Sequence, residues 1–127
     1  MRDYVYDSGA LIAIDSRDDA AVRRHLNRLT ARDHIMVPAP VAAQVVRNPR
    51  RQVRLMLTLR GCDIIPFSPD DAVPVGQLLA SSGTADVVDG LVALTAANSR
   101  ATVVTSDPDD IIRLLETLAA PLPVLKP

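Results

Sequence analysis

The sequence predicts an α/β domain in three layers: a mainly parallel central sheet of roughly five strands between two layers of helices. Short β-prone runs alternate with helical stretches along the whole chain, an order that calls for right-handed crossovers between parallel strands. The composition is 48% apolar, yet the aromatics are only Tyr4, Tyr6 and Phe67. The core is therefore built from Val, Leu, Ile and Ala, residues that suit strands buried on both faces. The length, 127 residues, is one domain's worth, expected to span 1–127 and to bury roughly two-thirds of the surface its unfolded chain exposes.

The elements follow in order. Tyr4-Val5-Tyr6 is a first strand ending in Asp7-Ser8-Gly9, where a short buried helix starts and continues through 10–14. After a polar break at 15–19, residues 20–31 place Ala21, Val22, Leu26 and Leu29 at helical spacing among Arg and Asn, an amphipathic pattern. Ile35-Met36-Val37 is a second strand, closed by Pro38 and Pro40, and proline is well placed to open the helix 41–47. A further helix spans 50–60, and Gly61 ends it. Residues 63–67 read as a strand, 70–80 as a helix and 86–98 as a strong helix with Val88, Leu91, Val92, Leu94 and Thr95 inward. Thr102-Val103-Val104 is a strand, 109–118 a helix, and 122–125 an edge strand, where Pro123 is tolerated. His25, on the amphipathic helix, and His34 lack Cys or His partners at ligand spacing and are expected at the surface or an edge.

Charge and cysteine content exclude several classes. The net charge of −1 argues against a general nucleic-acid binder, and three aromatics leave little for base stacking. Nucleic-acid contact must rest on local charge. From His34 to Cys62 there is no acid, and Arg47, Arg50, Arg51 and Arg54 recur at spacings that could line one helix face as an RNA-binding wall; a solvated face is the plainer alternative. The single cysteine, Cys62, rules out an internal disulfide and a cysteine metal site, as suits a reducing cytoplasm. No apolar run approaches the ~18 residues of a membrane span, and the N-terminus carries no signal-peptide pattern.

In open parallel sheets chemistry collects beyond the carboxyl ends of the strands. Asp7 ends the first strand and Asp107 follows the 102–104 strand, while Asp86 and Asp89, three residues apart, share one side of a helix's first turn. Each acid also has a capping reading: Asp86 fits an N-cap, and Asp109 and Asp110 suit a helix start. Asp7 fits capping least, because a charge directly after an apolar strand is costly unless paired or metal-bound. Converging carboxylates repel unless a cation lies between them, which points to Mg²⁺ or Mn²⁺.

The segments Val5-Tyr6-Asp7-Ser8-Gly9-Ala10-Leu11, Asp89-Gly90-Leu91-Val92-Ala93-Leu94-Thr95-Ala96 and Val103-Val104-Thr105-Ser106-Asp107-Pro108-Asp109 together resemble the three aspartate motifs of PIN domains, at a length similar to the VapC toxins of VapBC toxin–antitoxin pairs. The resemblance implies Asp7, Asp89 and Asp107 as metal-binding acids. Asp86 would be an extra ligand or water-holder, and Ser8 and Thr105 would hydrogen-bond the carboxylates, with Asp109 in support. It also implies a metal-dependent endoribonuclease, a homodimer, and a VapB-type antitoxin over the active site. One departure stands out: Gln44 occupies the place where such domains usually carry a glutamate, and the only glutamate, Glu116, lies in a late helix. Two alternatives remain open on sequence. One is a catalytically weakened PIN domain that binds RNA or a protein. The other is a receiver-like signalling domain, which gathers aspartates around Mg²⁺ but would need an acid after the third strand.

Overall fold

The computed structural model describes residues 1–127. β1 (Asp3–Tyr6), β2 (His34–Pro38), β3 (Asp63–Ile65), β4 (Thr102–Val104) and β5 (Val124–Leu125) form one sheet in the order β3-β2-β1-β4-β5, with every pair parallel. In the middle strand Tyr4, Val5 and Tyr6 are all buried, the continuous apolar run expected of a parallel strand covered on both faces. Seven helices cover the sheet: α1 (Ser8–Asp15), α2 (Asp19–Thr30), α3 (Ala39–Val45), α4 (Val53–Arg60), α5 (Ala72–Ser82), α6 (Val87–Ser99) and α7 (Pro108–Thr117). α1 packs with α2, α3 and α4, while α5, α6 and α7 pack with one another. These two groups are the outer layers of the predicted architecture. α6 is the most enclosed helix, with Gly90, Leu91, Val92, Ala93, Thr95 and Ala96 buried, whereas Val88 and Leu94 are only half-buried.

Several boundaries differ from the sequence expectation by two or three residues: α3 spans 39–45 rather than 41–47 and α5 spans 72–82 rather than 70–80. β3 stops at Ile65 because Pro66 has no N–H to continue the ladder, and β5 begins only after Pro123. α4 starts at Val53 rather than at 50. Its opening is fixed from outside: Asp15 Oδ1, at the end of α1, accepts from the Leu55 backbone N–H at 3.2 Å. Gln52 holds the preceding loop, accepting from the N–H groups of Arg47 (2.7 Å) and Asn48 (3.0 Å) and donating to the Val45 carbonyl (3.0 Å).

His25 is not at the surface; it is 4% exposed and shares the buried face of α2 with Ala21. Leu26 and Leu29, expected inward, are 53% and 39% exposed instead. The Tyr6 hydroxyl lies 2.8 Å from His25 Nδ1 and accepts from Arg28 at 3.0 Å. The tyrosine hydroxyl is therefore assigned as donor to His25 Nδ1, which needs a neutral ring. Burial, aided by the Arg28 charge, lowers the His25 pKa and favours that state.

His34 lies at the opposite, amino-terminal edge of the sheet. Its Nδ1 is 3.1 Å from Asp3 and its Nε2 3.0 Å from Asp63, so one ring bridges the starts of three neighbouring strands. Hydrogen bonding to Asp63, then to Asp3, raises its pKa above 6.5. A raised histidine contributes stability that is present in full below 6.5 and lost as pH rises through the folded value. The group is partly exposed, so the effect is on the order of 0.5 kcal/mol. Urea unfolding at pH 5.5 and 8 should show the wild type losing about that much relative to His34→Gln; equal pH dependence in both would remove the bridge from the account.

Candidate metal centre

The strand order reverses between β1 and β4, because the chain builds β2 and β3 on one side and places β4 and β5 on the other. The crevice beyond the carboxyl ends of β1 and β4 is thus the switch point of the sheet. Asp7 sits there, 5% exposed, with its N–H donating to the Val104 carbonyl at 3.0 Å. Asp7 also caps α1. Its Oδ1 accepts from the Ser8 backbone N–H at 2.8 Å, and its Oδ2 accepts from the buried Thr105 hydroxyl at 2.8 Å. The same Thr105 oxygen accepts from the Asp107 N–H at 3.0 Å. One hydroxyl therefore fixes both acids. Ser8 contributes its backbone N–H to the carboxylate, not its hydroxyl.

Thr105→Val keeps the shape but removes both bonds and strips one partner from a buried carboxylate. Loss of about 1–3 kcal/mol is expected in chemical denaturation, and Thr105→Ser should recover most of it. A neutral Thr105→Val would contradict the bridging role.

Asp89 stands in the first turn of α6, half-buried, with its N–H bonded to the N-cap Asp86 at 3.0 Å. Burial pushes its pKa up to about 7, reinforced by the charges of Asp86, Asp7, Asp107 and Asp110 in that order. Asp107 is exposed, and its pKa is raised first by hydrogen bonding with Asp110, then by burial and by the charges of Asp110, Asp7 and Asp109. Carboxylate oxygens of Asp89, Asp107 and Asp110 all lie within 4.8 Å of one another. Oxygens on one Mg²⁺ bind at about 2.0–2.1 Å, which puts opposite ligands about 4 Å apart, so small side-chain adjustments suffice to seat a cation. An all-oxygen, all-carboxylate donor set is what a hard divalent ion takes.

The structure thus gathers Asp7, Asp86, Asp89 and Asp107 into one electrostatic neighbourhood, with Asp86 as a helix cap at its edge. Asp110, which the sequence presents only as a helix-start acid, belongs to the tight cluster, whereas Asp109 is exposed beside it. The sequence does carry a signal for it: Asp110 follows Asp107 by the same three-residue step that links Asp86 and Asp89. Gln44 is exposed on the second turn of α3, and its side chain makes no hydrogen bond within the protein. The four arginines do not form the expected helix face. Arg47 turns back onto the carbonyls of Ala43 and Val46, Arg50 and Arg51 lie in the exposed loop before α4, and Arg54 sits half-buried against α2. The expected break after α3 is there, but α4 starts only at Val53, so Arg50 and Arg51 fall outside the helix that carries Arg54.

A family model described as the PIN domain matches residues 4–115. The chain belongs to the PIN-domain family. That membership sets aside the receiver-like alternative, and β3 accordingly ends without an acid. Among solved structures, this PIN domain is similar to a chain of VapBC2 from Rickettsia felis, bound to a DNA fragment from its promoter (23% identity, TM-score 0.67, 98% of each chain covered). It also resembles a chain of FitAB bound to an IR36 DNA fragment (18%, 0.67, 97% of this chain and 94% of that one). A third likeness is to PAE2754 from Pyrobaculum aerophilum (16%, 0.62, 93% and 98%). At these identities the likeness is one of fold. No curated relative matches the chain by sequence. No single helix is long and apolar enough to cross a membrane.

Proposed function

We propose that this PIN domain is a Mg²⁺- or Mn²⁺-dependent endoribonuclease and the toxin of a type II toxin–antitoxin pair, acting in the cytoplasm as a homodimer held in check by a VapB-type antitoxin. The carrying observation is the gathering of carboxylates around the half-buried Asp89: burial first, and then the neighbouring acids, push its pKa to about 7 with no protein cation beside it. Such a cluster is costly to the fold and has a use where a cation binds. The toxin reading draws support from the likeness to chains of VapBC2 and FitAB. A bound ion supplies Lewis acidity, acidifying water and offsetting phosphate charge. Asp89, Asp107 and Asp110 would hold it. Asp7, fixed by Thr105 and the Ser8 N–H, closes the buried side of the site and orients a ligand or a water, and Asp86 holds the first turn of α6 in place. Arg50 and Arg51, exposed and unpaired, are available to RNA phosphates.

RNA cleavage by the partner-free protein, compared in Mg²⁺, Mn²⁺ and EDTA, tests this. Cleavage is expected only with metal and should vanish in Asp7→Asn and Asp89→Asn. Gln44, exposed where the family's glutamate is usual, supports a second reading of a weakened domain. If the wild type is inert and Gln44→Glu cuts RNA, that second reading replaces the first. If no form cuts RNA or binds metal, the carboxylates are structural.

A further inference from the structure

None of the 13 arginines forms an ion pair with an aspartate or glutamate side chain; the only pairs of that kind are those of His34. Three of these free guanidiniums converge. Arg17 in the α1–α2 turn, Arg23 on α2 and Arg54 in the first turn of α4 line one open cavity of about 460 Å³, with Asp19 as the only acid and Asn27 as a neutral donor. Arg54 Nε is shut off from solvent and has no hydrogen-bond partner, the one buried side-chain polar atom in the molecule left so. Nε itself is sealed, so an outside ligand reaches Arg54 only through the atoms that line the open cavity. Guanidinium nitrogens donate to phosphate oxygens, and the excess positive charge of the cavity suits an anion.

We propose that Arg17, Arg23 and Arg54 form a second phosphate site, which holds the RNA backbone away from the bond that is cut; this rests on the nuclease reading above. Its position fits. α1 begins beside Asp7 and ends just before Arg17, and its eight residues span about 12 Å. At about 3.4 Å of rise per nucleotide in a helical strand, that is a few nucleotides from the carboxylates. The site grips substrate without touching the reacting atoms, so it governs affinity and the minimum length of RNA that is cut well.

The test is binding of a labelled single-stranded RNA of about a dozen nucleotides, read by fluorescence anisotropy in EDTA, where metal-dependent cleavage is off. Arg17→Ala/Arg23→Ala should weaken binding at least about tenfold and lower the salt dependence by one to two phosphate contacts. Arg54→Lys, which keeps the charge and loses the planar fork of donors, should weaken it less. Arg60→Ala, at the far end of α4, should change nothing. Inorganic phosphate should raise the melting temperature of the wild type and not that of the double variant. If the wild type cuts RNA and the double variant binds it equally well, this site is refuted while the nuclease reading stands. If the wild type neither binds nor cuts RNA, yet phosphate still acts through these arginines, the nuclease reading fails and the pocket serves a free anion, which also overturns the proposal. If polyglutamate, and not RNA, is held through the same arginines, the pocket belongs to an acidic protein partner and the proposal is again overturned.

Discussion

Asp89→Asn is expected to abolish metal-dependent cleavage and, at the same time, to make the metal-free protein more stable at pH 8. The two effects share one cause. Asp89 has a folded pKa of about 7 against an ordinary value of 3.8. Below 3.8 the carboxyl is protonated in both folded and unfolded chains, and nothing is lost. Between 3.8 and 7 the unfolded chain ionises more readily than the folded one, so stability falls as pH rises, and above 7 the full penalty is present. Each tenfold gain in proton affinity on folding costs about 1.4 kcal/mol once the carboxyl is ionised, but solvent reaches this half-buried group, and the discounted penalty is on the order of 1–2 kcal/mol. Asparagine removes the charge, keeps the backbone N–H that Asp86 accepts, and should raise the melting temperature at pH 8 by about 4–8 °C. Activity should fall by two or more orders of magnitude, the scale set by losing several kcal/mol of charge stabilisation. Mg²⁺ should stabilise the wild type and leave the variant nearly unmoved, since binding to the folded state alone shifts the unfolding equilibrium. A variant no more stable than wild type at pH 8 would mean that burial and the neighbouring carboxylates do not penalise the Asp89 charge as the geometry implies.

The parts of this molecule that are legible in its sequence are those carried by local pattern. Alternating short strands and helices point to the parallel three-layer architecture, and the place of Asp7 and Asp107 just after two apolar runs puts them at strand ends without any knowledge of topology. What stays hidden depends on contacts between distant segments. The start of α4 is set by Asp15, forty residues earlier, which caps the Leu55 N–H, and without that cap the run from Arg50 reads as one helix. His25 sits on an amphipathic helix beside Leu26 and Leu29, and hydropathy alone turns the leucines inward. The pairing of His25 with the Tyr6 hydroxyl, together with Arg28 lying 4.6 Å over the Tyr4 ring, rotates the helix the other way. A polar side chain with a specific buried partner can thus outrank two leucines in choosing the buried face. Asp109 and Asp110 both suit a helix start, and only the turn of α7 decides that Asp110 is the one facing Asp107 and Asp89.

Gly9→Ala should be among the most damaging single-methyl changes in the chain, although helix propensity predicts the reverse. Gly9 lies in the first turn of α1 with an ordinary backbone angle, and alanine there would improve local helix formation by up to about 1 kcal/mol. The obstacle is across the sheet edge. A Cβ on Gly9 would overlap the Ser106 hydroxyl and stand 2.6 Å from Ser106 Cβ and 2.9 Å from Ser106 N. The hydroxyl can rotate away, but the Cβ and the backbone nitrogen cannot, so the turn between β4 and α7 must move. Overpacking of this kind costs about 1–3 kcal/mol. It also displaces Asp107, the next residue, from the Thr105 hydroxyl that ties it to Asp7. Denaturation should therefore show a loss of about 1–3 kcal/mol, with metal-dependent activity reduced by more than that loss explains. Ser106→Gly should partly rescue the variant by removing two of the three clashing atoms. Gly76→Ala is the matched control: it lies within α5, a Cβ there meets nothing within 4 Å, and it should stabilise by about 0.5–1 kcal/mol. If both changes stabilise equally, the glycine after Asp7-Ser8 has no part in bringing the two aspartate-bearing turns together. If they differ in sign, the small residue in that motif is there because the site needs the β1–α1 and β4–α7 turns in van der Waals contact.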